Sequence, residues 1–456
     1  MNREIVLGVT GLRRTGKTVF LTTLIHQLTN FGSDGLDAFA NHGVVLKAAG
    51  KAMPSDKLRG MKKFPYSVHL GNLRQQLWPA ATTDEMSCAV SCNFLEPLSG
   101  GYIKPLKSAM GRIGLPTNRG EVTFHIHDYP GEYLLDAPLL NQTFANWSDE
   151  ALDRISGQQR VVAAKEYLDL ANQPVGSDAD DWIKKLREAY AKYLVEARKA
   201  GLEFFQPAMS AAQYFVRFEL ANTDGLPLSP QVEELPFVPL GQPALESGTP
   251  AIVELEKRFQ VYRNTNVLPF VKRLGKVQKQ IVLVDVLRVL KAGPDIFNDT
   301  SNCLRAILEC YRYGTTIYGG AKKVLFAATK ADHATKEGRP NLGRLLDKLV
   351  KKAAGAIPFS VEVSPSVGMT AICATTDEVH NEPGFGLTQA VVGRRKESPN
   401  VSEPFGPGKV PPDWPDDDEW KDFLFPEFCA PKIPSSDEKP WPNLSMDRLI
   451  WFAFSK

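Results

Sequence analysis

Apolar and polar positions along the chain predict several buried strands, each ending in a loop of glycine or polar residues. The apolar run Ile5–Val9 leads into a glycine-rich loop, and the spacing of apolar residues in Val19–Ile25 then predicts a helix. Val122, Phe124 and Ile126 alternate with polar residues and predict a second strand. Further strands are predicted at residues 282–284, 323–328 and 368–376, and helices at 66–77 and 342–355. This succession predicts an α/β fold with a mostly parallel sheet.

The loop after the first strand reads Gly11-x-x-x-x-Gly16-Lys17-Thr18, the pattern of a phosphate-binding loop between a strand and a helix. The two glycines allow the backbone N–H groups to converge on an anion, and the helix adds its positive N-terminal end. Lys17 is expected to bind the β- and γ-phosphates, and the Thr18 hydroxyl to bind Mg²⁺. The predicted nucleotide-binding residues of this loop are Gly11, Arg13, Arg14, Thr15, Gly16, Lys17, Thr18 and Val19.

The second strand ends in Asp128-Tyr129-Pro130-Gly131. A carboxylate at a strand tip can hold Mg²⁺ through water, and a glycine N–H can approach a γ-phosphate because no Cβ blocks it. Asp285 ends another buried strand and competes for the same role. Asp128 is preferred because only it has a glycine three residues later. A metal site at His125 and His127 is the less favoured alternative to two core histidines.

The third motif is Thr329-Lys330-Ala331-Asp332, after the strand at 323–328. An aspartate there can accept hydrogen bonds from N1–H and the exocyclic amine of guanine, a pair of donors that adenine lacks. The Lys330 side chain can cover the face of the base. His333 adjoins this motif, and Ala374 and Thr375, after the next predicted strand, are expected to back the base or to form a plain turn.

In their order, these motifs resemble the P-loop GTPases, and further stretches resemble one branch, the YcjX-like family of bacterial proteins. The stretches that carry the resemblance are Gly11–Thr18, Trp78-Pro79, Asp128–Glu132, Leu283–Asp285, Ala292–Pro294, Thr329–His333, Ala374–Thr376, Phe425-Pro426 and Asn443–Arg448. The resemblance implies a GTPase-like α/β domain with a helical insertion, GTP or GDP and Mg²⁺ as ligands, and a link to bacterial stress responses.

The chain departs from the wider GTPase pattern at two positions. Glu132 stands where many such enzymes have the glutamine that orients the attacking water, and its charge would repel the γ-phosphate. Thr329 stands in place of the usual asparagine and makes fewer hydrogen bonds. The predicted catalytic residues are Lys17, Glu132 and Arg14. Because the charge of Glu132 would repel the γ-phosphate, intrinsic turnover is expected to be slow. A solvent-facing role for Arg14 is an equal alternative to an arginine finger in cis.

The spacing between motifs predicts large insertions. Residues 1–137 and 276–380 are expected to form the nucleotide-binding domain, 138–275 a helical insertion domain, and 381–456 a proline-rich segment packed on the first. Thr82 or Thr83 is the predicted switch threonine that completes the Mg²⁺ shell, against the alternative of ordinary loop threonines. The aromatic residues of the helix after Ala179 are expected to form a core between helices.

Composition argues against several classes of protein. The chain has 456 residues and a formal net charge of +2, which argues against a dedicated nucleic-acid binder. Its six cysteines are too few for a disulfide scaffold, and no apolar stretch is long enough to span a bilayer. A cytoplasmic location is therefore expected, with peripheral membrane association left open. The sequence favours a Mg²⁺-dependent GTPase switch with a protein partner at the helical insertion. An ATPase of the same fold and a nucleotide-stabilised scaffold are the alternatives.

Overall fold

A central sheet of eight strands organises the described part of the chain. The computed structural model describes residues 2–11, 14–58, 60–80, 85–97, 117–129, 131, 136–157, 160–175, 178–199, 237–317, 323–355, 361–382, 386–413, 415, 420, 423–434 and 439–455. The strands are β1 (Asn2–Gly11), β2 (Val45–Ala48), β3 (Lys62–Lys63), β4 (Met86–Pro97), β5 (Thr117–Asp128), β6 (Lys279–Val284), β7 (Lys323–Ala328) and β8 (Glu362–Gly368). Their order is β2-β4-β5-β1-β6-β7-β8, with β3 beside β4. Strands β5, β1, β6, β7 and β8 run parallel, whereas β4 is antiparallel to β5 and β2 to β4.

The α-helices in the described part of the chain lie between and after these strands. They are α1 (Lys17–Asn30), α2 (Asp37–Asn41), α3 (Tyr66–Arg74), α4 (Phe144–Ile155), α5 (Val161–Ala171), α6 (Ala179–Lys199), α7 (Gln242–Leu245), α8 (Pro250–Tyr262), α9 (Leu268–Leu274), α10 (Val286–Ala292), α11 (Pro294–Ile317), α12 (Arg339–Ala354) and α13 (Met446–Phe454). A π-helical turn, Arg263–Val267, joins α8 to α9. None of the helices in the described ranges is long and apolar enough to cross a membrane.

Side chains alternate between the two faces of the sheet and supply two hydrophobic cores. On β1, Ile5, Leu7 and Val9 pack in one core with α1 and α13, whereas Val6 packs in the other. Strands β6 and β7 divide their side chains in the same way. Because both faces are covered, the central strands are apolar almost throughout, as the predicted strands at 282–284 and 323–328 are. The α/β fold with a mostly parallel sheet is therefore confirmed.

The segment between β5 and β6 is helical where it is described. The aromatic residues that the sequence assigned to a core between helices are buried, with Trp182, Tyr190 and Tyr193 each at most 8% exposed. The hydrophobic core of these helices is continuous with the core on the Val6 face of the sheet. The helical segment therefore packs directly against the sheet that carries the sequence motifs.

The region after β7 differs from the prediction. The predicted strand at 368–376 is wrong, because β8 ends at Gly368 and residues 369–375 form a loop. A second, antiparallel sheet follows, with the order β11-β10-β9, and consists of β9 (Thr376–Glu382), β10 (Gly386–Arg394) and β11 (Ser402–Phe405). Strand β8 is the edge strand of the central sheet, because it lies last in the strand order beside β7, and the proline at position 365 is typical of an edge. Its mixed polarity explains why the apolar pattern did not predict it.

Candidate functional site

The carboxyl ends of the parallel strands bring the sequence motifs to one edge of the sheet. Val9 pairs with Asp128 on β5, and Gly11 pairs with Leu283 on β6. The loop after β1 therefore leaves the sheet between the ends of two neighbouring strands. In open α/β sheets such an edge, where the chain crosses to both sides of a central strand, is where ligands bind.

The glycine-rich loop has the local geometry that a phosphate-binding loop requires. Gly16 has a φ of 83° and directly precedes α1, and Arg14 also lies in the left-handed region at 62°. A Cβ at Gly11 would lie 2.5 Å from Thr15 Oγ1, so the loop closes only on a glycine there. The N-cap residue of α1 is Gly16, which has no side chain with which to cap the first turn. Its N-terminal amides are thus directed at the loop, where an anion would satisfy them.

A buried ion pair joins the first motif to the second. The Lys17 ammonium donates to Asp128 Oδ1, and both side chains are less than 10% exposed. The other carboxylate oxygen of Asp128 is buried and has no hydrogen-bond partner within the described residues. A buried acceptor without a donor fits a cation or its bound water, so the residues present agree with the predicted Mg²⁺ position.

Asp285, the competing carboxylate, is engaged elsewhere. Its Oδ1 accepts from the backbone N–H of Arg288 at 3.1 Å and caps α10, and its Oδ2 accepts from Lys330 Nζ at 2.5 Å. This arrangement agrees with the choice of Asp128 as the acid that faces the cation.

The third motif lies beside the loop that follows β8. Lys330 has a φ of 60°, and Asp332 is 1% exposed, with its carboxylate bonded to residues of the 370–375 loop. His333 is buried, its ring stands edge-on to Phe428 at 4.8 Å between centroids, and burial lowers its pKa. Ala374 and Thr375 contact this motif through their backbone amides, and the Thr375 hydroxyl also donates to the Asp332 carbonyl at 2.5 Å. Their predicted role in backing the base remains a prediction.

Residues near the C-terminus form a further wall of the site. The indole of Trp78 donates to the Phe428 carbonyl at 2.9 Å, and Thr370 and Leu444 exchange two backbone hydrogen bonds of 2.9 Å. Burial alone would raise the pKa of the Glu427 carboxyl. The hydrogen bond and charge of Lys396, together with the charges of Lys330 and Arg14, instead lower this pKa to about 2. Glu427 therefore lies close to both the first and the third motif.

Comparison with known proteins agrees with this arrangement. The sequence pattern of the YcjX-like family, DUF463, matches residues 5–455. The chain belongs to the YcjX-like family. A protein of Escherichia coli K12 named Ras-like GTPase YcjX is 27% identical over 464 residues, which cover 99% of this chain and 95% of that protein. A protein of the same name from Shewanella oneidensis is 25% identical over 487 residues, 99% of this chain and 94% of that protein. The family resemblance of the sequence is thus confirmed, and the fold is that of a P-loop nucleotide-binding protein.

This YcjX-like chain also places near the site residues that the motifs do not include. His69 on α3 is buried, and neither ring nitrogen has a hydrogen-bond partner in the described part of the chain. Burial lowers its pKa more than the negative charge of Asp128 raises it, which favours the neutral form of the ring. No sequence motif marks His69, because a lone histidine in a helix resembles any core residue.

A second unpredicted group links the edge of the sheet to the helical segment. Arg273 of α9 donates to Glu85 Oε2 at 2.5 Å, and Glu85 Oε1 lies 3.6 Å from His127 Nε2. Burial would raise the pKa of Glu85, but His127 and Arg273 outweigh it and lower the pKa. His127 thus lies beside a carboxylate, and the described residues bring no third metal-binding side chain to it. The sequence did not predict this group, because Glu85 and Arg273 are 188 positions apart.

Four of the predicted site residues lie outside the described residues: Arg13, Thr82, Thr83 and Glu132. Gly131 is described and buried, and Val19 is half-buried in the first turn of α1. The roles of all these residues remain predictions.

Replacing Lys17 with Met tests the buried ion pair. The carboxylate of Asp128 then stays buried without its ammonium, so we expect the free energy of unfolding to fall by about 3–5 kcal/mol. Adding Asp128→Asn should recover more than half of that loss, because the uncompensated charge disappears. Urea denaturation measures both effects. Lys185→Met, which removes an exposed pair with Asp181, is the control with little effect. Equal losses in the single and double variants would contradict the prediction.

Replacing Glu427 with Gln tests the electrostatics of the C-terminal wall. The pKa of this carboxyl is lowered from 4.5 to about 2 in the folded chain, so the unfolded chain binds the proton first as the pH falls. The stability that the carboxylate contributes is complete above pH 4.5 and is lost as the pH falls towards 2. Across this window the difference in unfolding free energy between the wild type and Glu427→Gln should shrink by about 1 kcal/mol, since solvent screens a half-exposed group. A difference that does not change with pH would refute this assignment.

Proposed function

We propose that this protein is a Mg²⁺-dependent guanine-nucleotide-binding switch that hydrolyses GTP slowly. The observation that carries the proposal is the uncapped start of α1 beside the Lys17–Asp128 pair, at the edge of the sheet where the chain crosses over. The names of the two relatives, Ras-like GTPase, support guanine nucleotide as the ligand. The sequence motifs and the family agree with the same chemistry.

In this proposal the phosphate chain binds the amides of the loop at residues 11–18, and Lys17 exchanges part of its bond with Asp128 for phosphate oxygens. Thr18 and Asp128 hold Mg²⁺, with Thr82 or Thr83 as the switch ligand. When bound, Mg²⁺ neutralises charge on the β- and γ-phosphates. The buried, unbonded oxygen of Asp128 supports this assignment.

Slow hydrolysis follows from the residues next to the phosphates. Glu132 carries a negative charge where a neutral glutamine would orient water, and a carboxylate near a γ-phosphate raises the barrier through repulsion. Arg14 is exposed at the loop, with its backbone in the left-handed region, and supplies positive charge near the same phosphates. An activating partner bound at the helical segment would supply the neutral group that orients the attacking water.

The contacts of the loop at residues 129–137 support the switch. Tyr129, next to Asp128, is fully buried. Its hydroxyl donates to Gln280 at 2.5 Å, and its ring lies edge-on to Phe270 of α9 at 5.4 Å. At the other end of the loop, Tyr262 of α8 donates to Asp136 Oδ2 at 2.5 Å. Both ends of this loop, which contains the predicted γ-phosphate contact Gly131, are therefore tied to the segment from α8 to α9.

One observation favours ATP as a second candidate ligand. The Asp332 carboxylate is bonded on both oxygens and is 1% exposed, which fits a purely structural aspartate as well as a base reader. A chain that reads no guanine edge would bind ADP as tightly as GDP. Competition between the two nucleotides distinguishes the candidates.

Nucleotide binding and turnover test the proposal. We expect the purified full chain to bind GDP and GTP with Mg²⁺ at least tenfold more tightly than ADP and ATP. Its GTP turnover should be on the order of 10⁻⁴–10⁻² per second. Lys17→Met should abolish binding, and Lys185→Met should leave it intact. Equal affinity for ADP would establish the ATP candidate, and failure to bind any nucleoside phosphate would refute the proposed function.

Hydrogen exchange tests the coupling to the helical segment. Peptides from residues 250–274 should differ in protection between the GDP complex and the complex with a non-hydrolysable GTP analogue. Arg273→Ala removes the contact with Glu85, so this difference should fall by at least half. Arg258→Ala, which removes a pair with Glu254 on the same segment, is the matched control and should retain it. A difference that persists in Arg273→Ala would exclude this contact as the route.

A further inference from the structure

The carboxylate that is predicted to read guanine is already saturated by the chain itself. Asp332 Oδ1 accepts from the Thr370 hydroxyl at 2.9 Å. Its Oδ2 accepts from the backbone N–H of Ala374 at 2.7 Å and of Thr375 at 3.3 Å. With 1% of its surface exposed, Asp332 offers no open face to a base.

The two amides on Oδ2 have the same donor chemistry as the edge of guanine. Guanine presents N1–H and an exocyclic amine, two neighbouring N–H donors that converge on one carboxylate. The consecutive N–H groups of Ala374 and Thr375 also form two neighbouring N–H donors. The base and these amides therefore compete for the same acceptor.

We propose that residues 373–375 form an internal latch that guanine displaces from Asp332 on binding. The proposal rests on the proposed function, since it concerns how the same site admits its base. In the exchange, two N–H donors of the chain leave the carboxylate and two N–H donors of the base replace them, so Asp332 is satisfied in both states. Adenine lacks the donor pair and cannot replace the latch.

Specific contacts hold the latch closed. The Thr375 hydroxyl donates to the Asp332 carbonyl at 2.5 Å, and the Cys373 N–H donates to the Pro442 carbonyl at 2.9 Å. Gly393 of β10 lies against the latch, because a Cβ there would come within 3.0 Å of the Ala374 carbonyl and of Thr375 Cγ2. Opening the latch therefore disturbs β10 and the segment at Pro442.

The geometry of the chain links the latch to the second sheet. Strand β9 begins at Thr376, directly after the latch, and pairs with β10. Displacement of Ala374 and Thr375 moves the first residue of that strand. The occupied state of the base site is thus transmitted to the small sheet that begins with β9.

Thr375→Val tests the latch, because it keeps the shape of the side chain and removes the hydroxyl that holds the latch closed. We expect GDP to bind about fivefold more tightly, mainly through faster association in stopped flow, as loss of one hydrogen bond in the closed state implies. Thr375→Ser retains the hydroxyl and should bring the GDP affinity back towards that of the wild type. Thr376→Val, one residue on and exposed, is the matched control without effect. ADP affinity should not change in any variant.

Hydrogen exchange of the wild-type chain gives a readout that needs no substitution. The amides of Ala374 and Thr375 should lose protection when GDP is added. Retained or increased protection overturns the latch, as does unchanged GDP affinity in a folded Thr375→Val. If GDP binds tightly and the latch does not open, the latch is refuted and the proposed function is retained. Failure of every variant and of the wild type to bind GDP refutes the proposed function and the latch together.

Discussion

The pair between Lys17 and Asp128 is the interaction on which the arrangement of the site depends. It joins the start of α1, directly after the loop that follows β1, to the tip of β5, two positions that are 111 residues apart in sequence. Burying two charges costs several kcal/mol of desolvation for each ion, which only close pairing offsets. Apolar side chains on both faces of the sheet exclude water from the surroundings of this pair. The same environment strengthens any electrostatic interaction that a phosphate would make there.

Around this pair, two sets of contacts extend in opposite directions across the sheet. On the β5 side, Tyr129 and Glu85 connect the edge of the sheet to α9, where Phe270 and Arg273 lie. On the β8 side, Asp332 connects the edge to the 370–375 loop and to the antiparallel sheet that follows it. A ligand spanning both sides would affect two separate structural elements at once, which suits a chain that reports on its ligand rather than only processing it.

Sequence patterns predicted the parts of this structure that local chemistry determines. The glycine spacing and the apolar strand before it are sufficient for the loop at Gly11 and for the start of α1, and the position of Asp128 at a strand tip follows from alternation. Contacts across long insertions could not be predicted. His69 and Arg273 reach the site through helices whose packing depends on the whole core, and no motif marks them. Strand β8 was missed because its partly exposed, proline-containing sequence does not show the apolar run of a central strand.

The C-terminal wall has a consequence for how the chain is made. Phe428 and Leu444 contact residues of the third motif and of the loop after β8, and α13 covers one face of β1, which lies far earlier in the chain. A ribosome therefore releases the glycine-rich loop long before the segment that completes its surroundings. During that interval the apolar residues Ile5, Leu7 and Val9 of β1 lack the part of their cover that α13 supplies. Nascent chains of this kind depend on chaperones or on rapid completion to avoid aggregation.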